Sequence, residues 1–313
     1  MSSSNEKNAK PFLKWAGGKK QVIKCIDKKL PHEIQDSNVI VKYAEPFLGG
    51  GAVFFHLISK FEIKEAYLGD INRELILTYD VIQGNKYKKL ISKLKSYSNA
   101  FLKMNQDERR IYFNDIRSDF NNNLEEFDYK NYSYDHIIRA AQMIFLNRTC
   151  FNGLYRVNKS GKFNVPIGKY KNPSICDEGN IENVHDALKG VTIVSKDYMA
   201  SKDFIDGNTF VYLDPPYLPI KKTSFTSYSA EGFGINEQKE LSQFCKWIDN
   251  RGAKFILSNS DPKNHDPDNN FFKDTYGKLG LKICNHKKIE VRRSINSKGN
   301  KRGPINELLI YNY

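Results

Sequence analysis

Residues 39–58 read Val39-Ile40-Val41-Lys42-Tyr43-Ala44-Glu45-Pro46-Phe47-Leu48-Gly49-Gly50-Gly51-Ala52-Val53-Phe54-Phe55-His56-Leu57-Ile58, a strand signal, three glycines and then apolar residues at helical spacing. Glycines let a backbone approach a ligand closely, and the start of a helix offers unpaired N–H groups. A second apolar run, Ala66-Tyr67-Leu68, ends at Asp70, 21 residues beyond Gly49. An acid at about that distance is placed to hold ribose hydroxyls. Asp70 could equally cap the helix that starts around Ile71-Asn72-Arg73-Glu74-Leu75. The glycines do not follow G-x-G-x-x-G, so an adenosine cofactor without a pyrophosphate suits this turn better than a dinucleotide.

Far downstream, the apolar run Phe210-Val211-Tyr212-Leu213 leads directly into Asp214-Pro215-Pro216-Tyr217. An acid, two prolines and an aromatic ring thus stand at the carboxyl end of a predicted strand, where open α/β sheets bind ligands. Paired prolines remove two donors and lock φ, which leaves a stiff loop whose carbonyls can accept hydrogen bonds. Such a loop suits a flat substrate carrying an amine. A nucleobase with an exocyclic amino group has that shape: the amine donates to Asp214 and a proline carbonyl, and Tyr217 stacks on the ring.

Further strand signals lie at Val191-Thr192-Ile193-Val194, Phe255-Ile256-Leu257-Ser258, Leu281-Lys282-Ile283 and Leu308-Leu309-Ile310-Tyr311. Between about Ile76 and Lys189 they are nearly absent. Instead Leu90-Ile91-Ser92-Lys93-Leu94-Lys95, Ile111-Tyr112-Phe113-Asn114-Asp115-Ile116 and the apolar run 137–146 show helical spacing. The fold class is therefore α/β, with a helical module (residues 76–189) inserted into a sheet domain formed by residues 8–75 and 190–313. The run Asn121-Asn122-Asn123 reads as a loop.

The 313 residues carry 49 Lys plus Arg against 36 Asp plus Glu, a net charge of +13, which suits a polyanionic partner. Five scattered cysteines form no C-x-x-C pair, and the start Met1-Ser2-Ser3-Ser4-Asn5 has no apolar signal core. No apolar run approaches the roughly 18 residues that span a bilayer. The expected setting is reducing and cytoplasmic, with no membrane partner. The six histidines show no metal-ligand spacing, and no metal is expected; His56 reads as a satisfied boundary histidine.

The module ends in residues 148–170, where aromatics, asparagines and bases alternate around Lys159-Ser160-Gly161-Lys162, a hairpin-turn signal. Arginine reads guanine through a bidentate fork, asparagine reads adenine, and lysines bind phosphate. An exposed aromatic hairpin would serve a protein interface equally well. The basic segment 287–302 reads as a phosphate-binding loop or as a solvated surface.

Taken together, Pro11-Phe12-Leu13-Lys14-Trp15-Ala16-Gly17-Gly18-Lys19, Glu45-Pro46-Phe47-Leu48-Gly49-Gly50-Gly51, Asp214-Pro215-Pro216-Tyr217 and Arg292-Arg293-Ser294-Ile295-Asn296 make the chain resemble, over nearly its whole length, the Dam-type DNA adenine-N6 methyltransferases. The resemblance implies a Rossmann-like methyltransferase sheet with an inserted, mainly helical target-recognition domain, and S-adenosylmethionine as cofactor. It assigns Trp15, Lys19, Asp70 and Asp214 to the cofactor and Asp214, Pro215, Pro216 and Tyr217 to catalysis. Glu45 is left outside the site, since it could face the cofactor or merely satisfy the glycine turn.

Family members that modify adenine in GATC carry aromatic-Asn-Gly-Leu-x-Arg followed by Asn-Val-Pro-x-Gly-x-Tyr. Here the matches are Phe151-Asn152-Gly153-Leu154-Tyr155-Arg156 and Asn164-Val165-Pro166-Ile167-Gly168-Lys169-Tyr170. By that resemblance Phe151 wedges into the duplex, Asn152 supports the opened partner base, and Leu154, Arg156, Pro166, Tyr170 and Lys14 touch bases or backbone within GATC. The implied partner is double-stranded DNA, and a cognate restriction endonuclease acting on the same site would be a second. The competing readings are an N4-cytosine or RNA amino-methyltransferase and a DNA-binding module that does no chemistry.

Overall fold

Alternation along β4 (Thr209–Leu213) sets the layers of the molecule. Phe210 and Tyr212 enter one hydrophobic core and Val211 and Leu213 another, as the two-residue period of a strand requires. All five residues are buried, the mark of a strand covered on both faces. The computed structural model describes residues 9–15, 22–122, 124, 126–217, 233–264, 266–286 and 306–313. In it β4 is the middle strand of a seven-stranded sheet with β1 (Val39–Glu45), β2 (Glu62–Asp70), β3 (Thr192–Ser195), β5 (Lys254–Ser260), β6 (Lys282–His286) and β7 (Glu307–Tyr311). The order is β3-β2-β1-β4-β5-β7-β6. Strands β1 to β5 run parallel, and β7 is antiparallel to both β5 and β6. Every run read as a strand from the sequence lies in or overlaps one of these seven.

Ten α-helices occur among the described residues: α1 (Ile23–Asp27), α2 (His32–Ser37), α3 (Ala52–Lys60), α4 (Arg73–Gln83), α5 (Tyr87–Lys103), α6 (Gln106–Asn122), α7 (Tyr134–Thr149), α8 (Glu178–Ala187), α9 (Ile235–Asn250) and α10 (Phe271–Thr275). Helices α9 and α10 cover one face of the sheet through Leu241, Phe244, Ile248 and Phe272. The opposite face is covered by α3 and α4, and the core there continues into α5, α6 and α7. The expected join at residues 75 and 76 falls inside α4, whose side chains meet both β2 and α7.

Helix α7 is buried almost all round, so it forms the centre of the helical segment. It is tied to α4 by an ion pair in which Arg139 donates from Nε and Nη2 to the two carboxylate oxygens of Glu74, each at 2.7 Å. Both side chains are almost wholly buried. The Tyr129 hydroxyl also donates to Glu74, and the guanidinium lies over the Phe120 and Phe127 rings.

One local expectation needs correcting, and one alternative left open by the sequence is excluded. Asn121 and Asn122 are the last residues of α6, not loop. The Asn121 amide reaches the chain beyond α7, donating to the Phe163 carbonyl at 3.0 Å and accepting from its N–H at 2.8 Å. That pairing favours helical backbone over the turn that asparagine prefers locally. Asn72, not Asp70, caps α4, accepting from the N–H groups of Glu74 and Leu75. His56 is satisfied at the boundary by Asp27, 2.7 Å away.

Candidate active site and DNA-facing surface

The strand order reverses between β1 and β4, so the carboxyl ends of β2, β1 and β4 open side by side onto one crevice. Register fixes what stands there. Glu45, at the end of β1, pairs with Leu68, two residues before Asp70, and Ala44 pairs with Val211, three before Asp214. Neighbouring strands are about 4.8 Å apart, so the three acids span on the order of 10 Å.

Backbone donors hold Asp70. Its Oδ2 accepts from Gly49 N–H and its Oδ1 from Asn72 N–H, both at 2.9 Å. Burial raises its pKa, against the pull of those N–H groups and that of Ile71. The acid therefore pins the glycine turn to the end of β2. The turn itself requires glycine: Gly51 has φ +67°, and a Cβ there would lie 2.7 Å from the Tyr79 hydroxyl oxygen. Trp15 lies across the same turn, because a Cβ on Gly49 would meet its Cδ1 at 2.8 Å. Lys19 and the basic segment 287–302 lie outside the described residues.

Glu45, left out of the sequence-derived site, occupies the centre of the crevice floor. It is 2% exposed. Its Oε2 accepts from the Tyr43 hydroxyl at 2.7 Å and from Phe54 N–H, in the first turn of α3, at 3.1 Å. Burial, reinforced by the charges of Asp214 and Asp70, pushes its pKa up to about 8. The sequence signal was the acid that ends β1 immediately before the glycine turn.

The Asp214-Pro215-Pro216-Tyr217 loop is anchored at three points. Ser258 on β5 donates to Asp214 Oδ1 at 3.1 Å and lies 2.9 Å from the Tyr212 hydroxyl. Gln238 of α9 donates to the Pro216 carbonyl at 3.2 Å, and the Tyr217 hydroxyl donates to Glu307 Oε1 at 3.2 Å. Of the two proline carbonyls, that of Pro216 is thus used internally. Ser258 and Gln238 were not found from sequence, since a serine within an apolar strand and a glutamine in a helix carry no distinctive pattern.

Several of the residues implied for DNA reading lie against one another. Phe151 N–H donates to the Pro166 carbonyl at 2.8 Å, and Cys150 bridges Ile167 in antiparallel fashion. Beyond them, Val157 bridges Phe163 around a turn in which Asn158 Oδ1 accepts from the N–H groups of Ser160 and Lys162. The expected hairpin is thus two isolated bridges and a tight turn, with Arg156 Nε donating to Asn164 Oδ1 at 2.7 Å. Phe151 is 44% exposed, and Asn152 follows at φ 58°, a left-handed conformation. Lys14 Nζ sits 4.5 Å from the centre of the Tyr170 ring and 3.5 Å from its hydroxyl. Leu154 is half-buried and packs against the core.

A doubly wound sheet with acids at its switch point and a Pro-Pro-aromatic loop on β4 defines a Rossmann-like methyltransferase. Residues 15–295 match the model of the D12 class N6 adenine-specific DNA methyltransferases, and the chain belongs to that family. It is 46% identical over 306 residues to the type II methyltransferase M.MjaIII of Methanocaldococcus jannaschii, with 97% of this chain and 99% of that protein covered. Identity to the type II methyltransferase M1.LlaDCHI of Lactococcus lactis subsp. cremoris is 36% over 317 residues, covering 100% and 99%. A DNA adenine methylase of Escherichia coli is 30% identical over 307 residues, covering 97% and 95%. The protein is an enzyme that methylates adenine N6 in DNA. Among the described residues no helix is long and apolar enough to cross a membrane.

Proposed function

We propose that the enzyme transfers a methyl group from S-adenosylmethionine to N6 of an adenine flipped out of duplex DNA, within the sequence GATC. The observation that carries the reading is the convergence of Glu45, Asp70 and Asp214 on one crevice beside the Pro-Pro loop. Three acids in a half-buried space favour a cation, and the sulfonium and ammonium groups of this cofactor are cationic. Asp70 would hold the ribose, its position fixed by Gly49 and Asn72. Exposed Ile71 offers apolar surface beside it. Trp15 closes the crevice over the glycine turn, and Lys19 would pair with the carboxylate.

The bound cofactor supplies an activated methyl group, so no nucleophile of the enzyme is needed. The N6 lone pair is delocalised into the adenine ring. Asp214 and the Pro215 carbonyl would accept hydrogen bonds from the two N6 hydrogens and draw the nitrogen towards a tetrahedral shape; on gaining the methyl group N6 would shed one of these protons, by way of Asp214, to solvent. Ser258 fixes the rotation of the Asp214 carboxylate. Positioning of this kind supplies roughly 7 to 11 kcal/mol in favourable cases. Stacking on Tyr217 would offset part of the few kcal/mol that extrusion of a base costs.

We assign residues 76–189 to target recognition. Phe151 N–H donates to the Pro166 carbonyl, Lys14 lies over the Tyr170 ring, and the two blocks that contain Phe151, Asn152, Leu154, Arg156, Pro166 and Tyr170 resemble those of GATC-modifying enzymes. A cognate endonuclease of the same specificity would be the matching partner. The test is incubation with methyl-labelled S-adenosylmethionine and two duplexes, one with a single GATC and one with those bases permuted, alongside Asp214→Ala. Label confined to the GATC adenine and lost in the variant is expected. Label in both duplexes would overturn the GATC assignment, and label in neither would overturn the cofactor or the substrate.

A further inference from the structure

At the carboxyl end of α7 stands a side chain that neither the chemistry nor the base contacts use. Asn147 is 0% exposed. Its Oδ1 accepts from Lys14 N–H at 2.8 Å, while its Nδ2 donates to the carbonyls of Lys14 at 2.8 Å and Gly153 at 3.1 Å. Both amide donors are therefore spent on main chain. The next residue, Arg148, donates from Nε and Nη2 to the Phe12 carbonyl at 3.1 and 2.7 Å. One helical turn thus grips two stretches of irregular chain, residues 12–14 and the loop at Gly153.

Those stretches lead to different sites. Trp15 follows Lys14 directly and lies across Gly49 of the glycine turn. Its ring also stacks on Tyr155 of the reading loop, with ring centres 5.3 Å apart and planes inclined by 18°. Gly153 (φ +64°) comes directly after left-handed Asn152, and a Cβ there would lie 2.3 Å from Lys14 Cδ. The lysine stem and the reading loop are in close contact, and Asn147 cross-links their backbones from beneath.

We propose that Asn147 is a positioning residue that couples the two sites. By fixing Lys14 and Gly153 to one amide, it makes the placement of Trp15 over the cofactor turn depend on the placement of the Phe151 loop on DNA. Linkage is reciprocal, so cognate DNA tightens cofactor binding by the same factor that cofactor tightens cognate DNA. The proposal rests on the cofactor and target assignments above. A buried asparagine that only satisfied loop backbone would contribute to stability and to no such coupling.

Asn147→Asp is isosteric, keeps the acceptor for Lys14 N–H and removes both donations; Asn147→Ala removes all three bonds. For the folded variants, the dissociation constant of S-adenosylhomocysteine is measured with and without a duplex bearing the target site. The ratio of kcat/KM for target over a one-base-altered duplex is measured alongside. Expected is a wild-type coupling factor of roughly tenfold that falls towards one in the variants, with target selectivity dropping by a similar factor. An unchanged coupling factor and selectivity in a folded variant would overturn the proposal. Should neither variant fold, hydrogen exchange on the wild type decides: S-adenosylhomocysteine should slow exchange at residues 150–156 as well as near Gly49. Unaltered exchange at 150–156 would overturn it too. A wild type that binds the nucleoside but methylates no duplex adenine would mark a failure of the functional assignment, with the exchange experiment still reporting on the coupling.

Discussion

Replacing Glu45 by Gln should make the protein's stability less sensitive to pH. The carboxyl group is 2% exposed, accepts from Tyr43 and Phe54, and has its pKa raised from an ordinary 4.5 to about 8, chiefly by burial. In the unfolded chain the group ionises near its ordinary value. Between the two values the folded protein keeps a proton that the unfolded chain releases, so stability falls as pH rises through this window and levels off above it. From pH 5.5 to 8.0 the loss from this group alone is about 3 kcal/mol. Glutamine imitates the neutral acid without titrating, and both hydrogen bonds to its oxygen survive. Urea unfolding at half-unit pH steps measures the outcome: the variant should gain on the wild type by about 3 kcal/mol across that range. A difference that stays constant with pH would show that Glu45 is already ionised in the folded protein and would refute the reasoning. The proton should also be displaced by a cationic ligand. Calorimetry of S-adenosylmethionine binding at pH 7 should therefore show an enthalpy that depends on the buffer's heat of ionisation.

Removing the hydroxyl in Ser258→Ala takes away one hydrogen bond that orients the Asp214 carboxylate; kcat should fall roughly tenfold, about 1.4 kcal/mol, while KM for DNA stays near its wild-type value, and a rise in KM alone would contradict the role. Arg139→Leu strands the buried Glu74 carboxylate and should cost about 3 to 5 kcal/mol in urea unfolding, much of it recovered when Glu74→Gln is added. Gly51→Ala forces alanine into a left-handed conformation against the Tyr79 hydroxyl; a stability loss of at least 1 to 2 kcal/mol is expected, and a neutral effect would show that the turn relaxes freely.

The sheet was legible because its strands are short apolar runs that stop at turn residues or acids. The glycine turn, Asp70 and Asp214 each stand at the end of such a run, and the topology brings those ends together. What the sequence did not disclose was the use of polar side chains across long separations. Asn147 meets Lys14 across 133 residues and Ser258 meets Asp214 across 44. Neither pairing leaves a periodic trace. Asn121 misled for the same reason: its local preference is a turn, and a partner 42 residues away keeps it helical. Glu45 was visible as a residue, but its charge state depends on burial that only packing supplies.

The position of β7 bears on how the protein is made. Because Glu307–Tyr311 lies between β5 and β6, those two strands share no hydrogen bonds and meet only through a segment that leaves the ribosome after both. A nascent chain can pair β1 to β5 early, but β6 must wait without a neighbour, and β5 keeps an open edge for other chains to pair with. Translation halted before Glu307 would leave that edge uncovered and the Tyr217 hydroxyl without its Glu307 acceptor. Such truncated products should be strong clients for chaperones and proteases, whereas in the finished chain β7 is in place between β5 and β6.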